Sequence, residues 1–245
     1  MNGAIDAARL ADLLARLRAR KPRVHCLLNT VVQERVADGL TALGAVPSMT
    51  SSPEEVAEFA ARADALLVNL GTLTAERRQA TETGVQAARA AGRPWVLDPV
   101  KCDVSAVRLA FARKLLAERP TIVKANEAER AVIEALDETA MIETGAADRL
   151  RLGDRALTLH NGHPWLAAVT GTGCLAGALV AGFAAVEADP LAAGAAGLAV
   201  LGIAAERAAE RARGPGSFAV ELLDALALLE PADLHQSLRI DHAGA

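Results

Sequence analysis

Short apolar runs alternate along the first half of this chain with longer segments in which apolar residues recur at helical spacing. The runs are rich in Val, Leu and Ile, with little alternation of polar and apolar residues. Such runs are typical of strands that are covered on both faces of a sheet. We predict strands at residues 24–28, 65–70, 95–98 and 121–125, and a shorter segment at 46–49.

Segments with helical periodicity connect these predicted strands. They lie at about 31–43, 74–91, 104–118 and 127–136, and a capped helix start is predicted at Ser51–Glu55. Helices between consecutive strands favour parallel pairing through right-handed crossovers. The first half of the chain therefore predicts a parallel sheet with helices on its faces.

The pattern changes after residue 137, where shorter strands are predicted at 140–143, 150–152 and 156–160. Glycines between them favour turns and hence an antiparallel edge. Three apolar helices follow at about 173–187, 191–213 and 216–229. We predict one three-layer α/β domain over residues 1–235, with a mainly parallel central sheet, and a flexible tail at 236–245.

Composition and charge narrow the possible functions. The chain has 245 residues, of which 52% are hydrophobic, and a net charge of −4 without a Lys/Arg cluster, which argues against a nucleic-acid partner. The apolar run Pro190–Ala205 is too short for a membrane span, so we expect no membrane segment. Charged residues interrupt the amphipathic helix predicted at 5–20, so we expect no signal peptide. Cys26, Cys102 and Cys174 form no CxxC pair, which favours a reduced, cytoplasmic setting and disfavours zinc.

The stretch Val169–Cys174 precedes a long apolar helix and has the sequence VTGTGC. The free backbone N–H groups of Gly171, Thr172 and Gly173, together with the positive end of the helix dipole, suit an anion. Cys174 in this position is expected to have a stabilised thiolate. An anion-binding turn with a thiol beside it points to group-transfer chemistry.

Polar residues follow the predicted strands at the edge where the active sites of parallel sheets lie. Asn29, Asn69 and Asp98 occupy such positions. Asn126 and Glu129 are three residues apart, so that they share one side of the first turn of a helix. Together with Asp98, Glu129 provides a carboxylate pair that suits a hydrated Mg²⁺ ion.

Eight motifs, in order and at matching spacing over about residues 24–230, resemble the hydroxyethylthiazole kinase family. The motifs are Asn29-x-Val31, Ala42-x-Gly44-Ala45-x-Pro47-x-Met49, Asn69-x-Gly71-Thr72-Leu73, Asp98-Pro99-Val100, Asn126-x-x-Glu129, Asn161-Gly162, Val169–Cys174 and Gly214-Pro215-Gly216-Ser217-Phe218. None of them is decisive alone, but their common register is specific.

The resemblance implies a ribokinase-like fold and an activity in thiamine salvage. It implies transfer of the γ-phosphoryl group of ATP, as the Mg²⁺ complex, to the primary alcohol of 4-methyl-5-(2-hydroxyethyl)thiazole. It also implies a homotrimer with its sites at the subunit interfaces.

The resemblance also implies roles for individual residues. Cys174 occupies the catalytic position, which holds an aspartate base in the wider ribokinase group, and Gly171, Thr172 and Gly173 form the anion hole beside it. By the same resemblance, the alcohol is bound by Asn29, Met49 and Gly171. ATP is bound by Lys124, Asn126 and Thr144, and the metal by Asp98 and Glu129. Lys124 stands where the family usually has an arginine.

Three features depart from the family pattern. The segment Lys101–Ser105 replaces a glycine-rich run after Asp-Pro-Val, and Glu34 and Arg35 replace an asparagine and an aromatic residue near the thiazole pocket. The connection from Glu129 to Thr144 is short and lacks a helix. These differences leave open a kinase for another small alcohol, or a non-catalytic relative that binds thiazole or nucleotide.

A different class of enzyme is also compatible with the glycine motif. The spacing Gly171-x-Gly173-x-x-Ala176 formally fits the dinucleotide motif G-x-G-x-x-G/A and keeps an oxidoreductase as an alternative, although no strand ending in an acid follows. A P-loop kinase is excluded because the sequence has no G-x-x-x-x-G-K-[ST].

Several residues have purely structural interpretations. Asn126 and Glu129 together suit a helix cap with an acid in the first turn. His25 and His160 lie on strand patterns and are expected to be hydrogen-bonded within the framework. The cysteines other than Cys174 are expected to be ordinary structural thiols.

Overall fold

The computed structural model describes residues 3–134 and 136–242. Within these residues nine strands form one sheet. The strands are β1 (Arg23–Leu27), β2 (Val46–Ser48), β3 (Ala65–Asn69), β4 (Trp95–Asp98), β5 (Ile122–Asn126), β6 (Ala140–Thr144), β7 (Asp148–Leu152), β8 (Arg155–Leu159) and β9 (Ile240–His242). Their order across the sheet is β2-β1-β3-β4-β5-β6-β7-β8-β9.

Eleven α-helices lie in the same described ranges. They are α1 (Ala7–Arg20), α2 (Gln33–Leu43), α3 (Val56–Arg62), α4 (Ala75–Ala90), α5 (Ala106–Leu116), α6 (Glu127–Ala131), α7 (Trp165–Ala168), α8 (Thr172–Ala184), α9 (Pro190–Arg211), α10 (Pro215–Leu228) and α11 (Pro231–Ser237). A short 3₁₀ helix, Thr30–Val32, links β1 to α2.

The strand pairings confirm the predicted α/β class. Strands β2, β1, β3, β4, β5 and β6 pair in parallel, and a helix lies between consecutive members along the chain. Strands β6, β7 and β8 pair antiparallel, as the shorter runs after residue 137 predict, and β9, which the sequence does not predict, pairs antiparallel with β8. Gly153, with a φ of 56°, supplies the left-handed turn between β7 and β8.

Apolar side chains of the central strands face two separate layers. In β3, Leu67 packs in a core cluster with residues of α1, α2 and α8 to α11, whereas Leu66 and Val68 pack in a second cluster with residues of α3 to α5. Successive residues of a strand point to opposite faces of a sheet, so both faces of β3 are covered. The predicted three-layer arrangement is therefore confirmed.

Helices α8 and α9 pack closely because their contact is made by small residues. A Cβ on Gly197 of α9 would lie 2.7 Å from the backbone nitrogen of Val180 in α8. By length and composition α9 is able to cross a membrane, but 89% of its apolar stretch is buried inside the protein. The predicted buried helix is therefore confirmed.

The end of the described chain is not the flexible tail expected from residue 236. Helix α11 continues to Ser237, and β9 then pairs with β8. Leu234 is fully buried, and the backbone N–H of Arg239 donates to Oδ1 of Asn161 at 2.8 Å. These contacts fix residues 236–242, and the last residues of the predicted tail, 243–245, lie outside the described ranges.

Two helix predictions also differ from the structure. Helix α6 ends at Ala131, because the backbone N–H of Val132 donates to the Glu129 carbonyl and the chain then turns to bury Ile133. Helix α3 begins at Val56 rather than at Ser51–Glu55. Helices α7 and α11 have four and seven residues, too few to show a helical period in the sequence.

Candidate active site

Helix α8 begins at the glycine-rich turn that the sequence singles out. The Leu175 N–H donates to the Gly171 carbonyl at 2.8 Å, which is the first helical hydrogen bond. The N–H groups of Thr172, Gly173 and Cys174 precede that bond and so have no acceptor within the helix. Three backbone donors and the positive end of the dipole therefore converge in front of α8.

Gly171 is required by the backbone at this turn. Its φ is 93°, and a Cβ there would lie 2.9 Å from Cγ1 of Val32 and 3.2 Å from Cδ of Arg35. Gly173 differs, since a Cβ on it would meet only Nζ of Lys124, at 4.0 Å. The Thr172 hydroxyl donates to the carbonyl of Leu166 at 2.6 Å, so this side chain anchors the turn.

Asn69 joins Cys174 to Asp98. Its Nδ2 donates to Oδ2 of Asp98 at 2.7 Å and to Sγ of Cys174 at 3.2 Å. Its Oδ1 accepts from the backbone N–H of Gly71 at 3.0 Å, which fixes the orientation of the amide. Nδ2 of Asn29 lies 4.0 Å from the same sulfur. The ends of β1, β3 and β4 and the start of α8 thus meet at one point, as the sequence predicts.

The Cys174 thiol is not the stabilised thiolate that the sequence predicts. Burial, and after it the negative charge of Asp98, raise the pKa of this thiol, which is about 11. Lys124, Asn69 and Asn29 act in the opposite direction but do not compensate. The prediction failed because the sequence shows the helix N-terminus that favours a thiolate but not the burial and the carboxylate that oppose it.

Lys124 and Asp98 form a buried pair on neighbouring strands. Nζ of Lys124 lies 3.3 Å from Oδ1 of Asp98, and both side chains are almost completely buried. Burial opposes the charge of Lys124, but Asp98, Cys174 and Glu129 together raise its pKa, so the ammonium keeps its proton. For Asp98, burial raises the pKa and Lys124 lowers it. Lys124 is therefore a fixed positive charge close to the start of α8.

Glu129 and Asn126 form the capping box of α6, which confirms their structural interpretation. The Glu129 N–H donates to Oδ1 of Asn126 at 2.9 Å, and the Asn126 N–H donates to Oε2 of Glu129 at 3.0 Å. Oε1 of Glu129 accepts from the backbone N–H of Lys101 at 2.8 Å. Each oxygen of this buried carboxylate thus already has one partner.

These contacts decide how a metal ion would fit. Within the described residues, no three His, Cys, Asp or Glu side chains are grouped as direct metal ligands. Oδ1 of Asp98 is buried and has no partner other than Nζ of Lys124, and each Glu129 oxygen keeps a second lone pair. Such acceptors suit the water molecules around a hydrated Mg²⁺, which retains several of its waters in proteins.

A cavity of about 550 Å³ opens beside α8. Of the residues assigned to the site from the sequence, Thr144, Thr172 and Gly173 line it, as do Asn161 and Gly162 of the sequence motifs. Leu198 and Leu201 of α9 form an apolar wall. This volume is typical of a site for a small molecule or cofactor. Met49 does not line this cavity; it is half-buried at the end of β2 and packs against the first core cluster.

The role of Arg77 could not be predicted from the sequence. This nearly buried guanidinium donates to the carbonyls of Asn69 at 3.1 Å, of Thr72 at 2.7 Å and of Gly71. It therefore holds the turn after β3, where Thr72 has a φ of 48°. An arginine in the first turn of a helix carries no signal of burial, so only the structure reveals this contact.

Comparisons with known proteins agree on one family. The model of the hydroxyethylthiazole kinase family matches residues 14–141 and 130–232. A probable hydroxyethylthiazole kinase from Agrobacterium fabrum is 52% identical over 236 residues, covering 96% of both chains. A hydroxyethylthiazole kinase from Clavibacter sepedonicus is 43% identical, covering 94% of this chain and 93% of its own.

Solved structures agree with the sequence comparisons. The hydroxyethylthiazole kinase protein from Pyrococcus horikoshii OT3 superposes with a TM-score of 0.91 at 34% identity, covering 96% of this chain and 98% of its own. A pyridoxal kinase from Staphylococcus aureus superposes with a TM-score of 0.61 at 13% identity, covering 91% and 98% of the two chains. The second similarity concerns the fold alone.

Proposed function

The chain belongs to the hydroxyethylthiazole kinase family, and we propose that it transfers the γ-phosphoryl group of ATP to the primary alcohol of 4-methyl-5-(2-hydroxyethyl)thiazole, in thiamine salvage. One observation carries this proposal. The free N–H groups at the start of α8 lie beside the Lys124–Asp98 pair and open onto a cavity of about 550 Å³. Phosphoryl transfer requires such a combination of positioned donors and fixed positive charge.

The cavity accepts the nucleotide in this proposal. Its apolar wall on α9 suits a purine base, and Thr144, at the end of β6, lines it; we also assign Asn126, at the end of β5, to ATP. The N–H groups of Thr172, Gly173 and Cys174 then hold the oxygens of the transferring phosphoryl group. Lys124 contributes positive charge beside them. Losing one such donor typically costs a factor of roughly 10²–10³ in rate.

Asp98 and Glu129 would hold a hydrated Mg²⁺ by accepting hydrogen bonds from its water molecules. When bound, this ion would neutralise the negative charge of the phosphates. The two carboxylates also keep their own protein contacts, so the turn around Lys101 and the start of α6 stay in place. The metal site therefore depends on the same bonds that stabilise α6.

The alcohol oxygen attacks the γ-phosphorus, the bond from that phosphorus to the bridging oxygen breaks, and ADP leaves. Because the thiol of Cys174 is protonated near neutral pH, little thiolate is present to accept the alcohol proton. In a loose transition state the attacking oxygen carries little positive charge, so its proton is lost late, to solvent water or to the small thiolate fraction of Cys174. We therefore assign most of the rate enhancement to the donors in front of α8 and only a minor part to base catalysis by Cys174.

Asn29, Met49 and Gly171 bind the alcohol in this proposal, next to the exposed side chains of Val31 and Val46. These apolar side chains support a homotrimer in which a second copy covers the alcohol site. The free cysteines of the chain support a reducing, cytoplasmic setting.

The oxidoreductase alternative is not favoured. The dinucleotide motif requires its glycines to follow a strand directly. Here the segment before Gly171 is the helix α7, Trp165–Ala168, and no strand separates α7 from α8. The relatives at 43% to 52% identity are named as kinases.

Incubation of the purified protein with MgATP and the thiazole alcohol tests the proposal, with phosphorylated thiazole followed by mass spectrometry. We expect product from the wild type and a decrease of roughly tenfold or more in Glu129→Gln at low Mg²⁺. Binding of thiazole or nucleotide without product would instead indicate the non-catalytic relative. Product only from other small alcohols would instead indicate a kinase for a different alcohol, the alternative that Glu34 and Arg35 leave open.

A further inference from the structure

His25 is a completely buried residue in β1, and its ring contacts both neighbours of Met49. In the parallel pairing of β1 with β2, His25 lies opposite Ser48. Its Nδ1 is 2.8 Å from Oγ of Ser48, and its Nε2 is 3.0 Å from the carbonyl oxygen of Thr50. One imidazole thus bridges the residues on either side of Met49.

The partners of the ring define its tautomer. A carbonyl oxygen only accepts hydrogen bonds, so Nε2 carries the hydrogen and donates it to Thr50. Nδ1 of the neutral ring then accepts from the Ser48 hydroxyl. Burial lowers the pKa of His25 to about 4, so the ring stays neutral at physiological pH. Phe59 stacks on the ring with a centroid distance of 5.5 Å, which restricts its rotation.

The segment after β2 has few other anchors. Strand β2 has three residues and lies at the edge of the sheet, where only β1 pairs with it. Beyond Ser48, the side chain of Thr50 bonds within its own turn, donating to Glu55 and accepting from the Ser52 N–H at 3.4 Å. The contact to His25 is thus the bond that ties this turn to the body of the sheet.

We propose that His25 is a positioning residue that fixes Met49 for binding of the alcohol by holding Ser48 and Thr50 in place. The inference rests on the proposed function, in which Met49 binds the alcohol. His25 itself does not touch the substrate. Because Met49 lies away from the cavity assigned to ATP, loss of the bridge affects binding of the alcohol and not binding of the nucleotide.

Steady-state kinetics of three variants tests this role. In His25→Leu both bonds are lost, and we expect the KM for the alcohol to rise roughly tenfold while the KM for ATP changes less than about twofold. In His25→Gln the amide nitrogen lies near the position of Nε2 and keeps the bond to Thr50, so we expect a smaller rise. Ser48→Ala removes only the hydrogen bond between Ser48 and His25 and leaves the core intact. It replaces His25→Leu as the test if that variant does not fold.

The matched control is His160→Gln, which removes a histidine bonded to Asp241 near the opposite edge of the sheet. We expect both KM values of this variant to equal those of the wild type. An unchanged alcohol KM in folded His25→Leu and in Ser48→Ala would overturn the inference. Equal rises in the two KM values would also overturn it, because they would indicate a general loss of structure.

A second measurement separates this inference from the proposed function. The chain has three methionines, so ¹³C-methyl labelling gives few signals, and Met49→Leu assigns that of Met49. We expect the Met49 methyl signal to shift and broaden in His25→Leu but not in His160→Gln. If the wild type makes no product, the proposed function fails while this signal still reports on the bridge. An unchanged Met49 signal in His25→Leu would overturn the bridge even if the wild type is active.

Discussion

At the scale of single residues, two opposing effects act on Cys174. The positive end of α8 favours a thiolate, and such an effect reaches at most ~2 kcal/mol in partly buried sites. Burial and the neighbouring Asp98 favour the neutral thiol, and the resulting rise of the pKa from 9.0 to about 11 shows that they dominate. A thiol beside a phosphate site is therefore not automatically a strong base.

The reactivity of the free protein toward iodoacetamide measures this balance. Only the thiolate reacts, and below the pKa its fraction rises tenfold per pH unit. A pKa of about 11 instead of 9.0 therefore predicts alkylation of Cys174 roughly a hundredfold slower than that of an ordinary cysteine at pH 8. The rate should still rise above pH 9, and Asp98→Asn should accelerate it. A plateau below pH 9 would contradict the neutral thiol.

Gly171 and Gly173 differ in what a methyl group would do. In Gly171→Ala the new side chain meets Val32 and the backbone must keep a φ of 93°, so we expect a loss of stability of about 1–3 kcal/mol. In Gly173→Ala the methyl group meets only Nζ of Lys124, at 4.0 Å, beside the cavity, so we expect near-normal stability but a raised KM for ATP. Urea denaturation and steady-state kinetics of both variants check this pair. Equal stability of the two variants would contradict the argument.

At the scale of elements, Glu129 of α6 has both a structural role and a proposed functional role. The Glu129 carboxylate caps the helix, supports the turn at Lys101 and supplies negative charge near Asp98. Gln keeps an acceptor oxygen but loses the charge. Substitution by Gln therefore separates the contribution of Glu129 to folding from its contribution to metal binding.

We expect Glu129→Gln to lose about 1 kcal/mol of stability, as for a weakened helix cap. The Mg²⁺ concentration for half-maximal rate should rise roughly tenfold or more, as for loss of a group that supports a metal through its water shell. Glu127→Gln is the matched control, because Glu127 is an exposed acid in the same helical turn. An equal Mg²⁺ dependence of both variants would show that Glu129 has only a structural role.

The elements differ in how much of them the sequence predicts. Strand β4 is predicted with its exact bounds, because a run of apolar residues covered on both faces leaves little choice. The end of α6 and the pairing of β9 depend on contacts with residues far away in the sequence, such as Arg239 with Asn161, and local patterns do not contain them. The same holds for the site. Its residues were found from their positions at strand ends, but their bonds, and the roles of Asn69, Arg77 and His25, required the fold.

At the scale of the whole molecule, the exposed apolar residues near β1 and β2 indicate a surface that another chain would cover. Val31 is 75% exposed, Val46 48% and Phe59 41%; Val46 lies in the edge strand β2, Val31 follows β1, and Phe59 stacks on His25 of β1. An uncovered edge strand with apolar neighbours is a natural place for pairing with another chain. Val31 also directly precedes Val32, which packs near Gly171, so a second copy there would reach the alcohol site.

The substitution Val31→Glu tests whether this surface forms the proposed trimer. A charge buried without a partner typically costs about 3–5 kcal/mol, so the trimer should dissociate. Light scattering at micromolar concentration should then give a mass below that of three chains. Because the proposed trimer completes the alcohol site, the KM for the alcohol should rise while the KM for ATP stays close to that of the wild type. Val107→Glu is the matched control, since Val107 is 59% exposed on α5, the helix that joins the central strands β4 and β5. If Val31→Glu remains a trimer, or if it becomes a monomer with an unchanged alcohol KM, the alcohol site does not depend on contacts made by this surface.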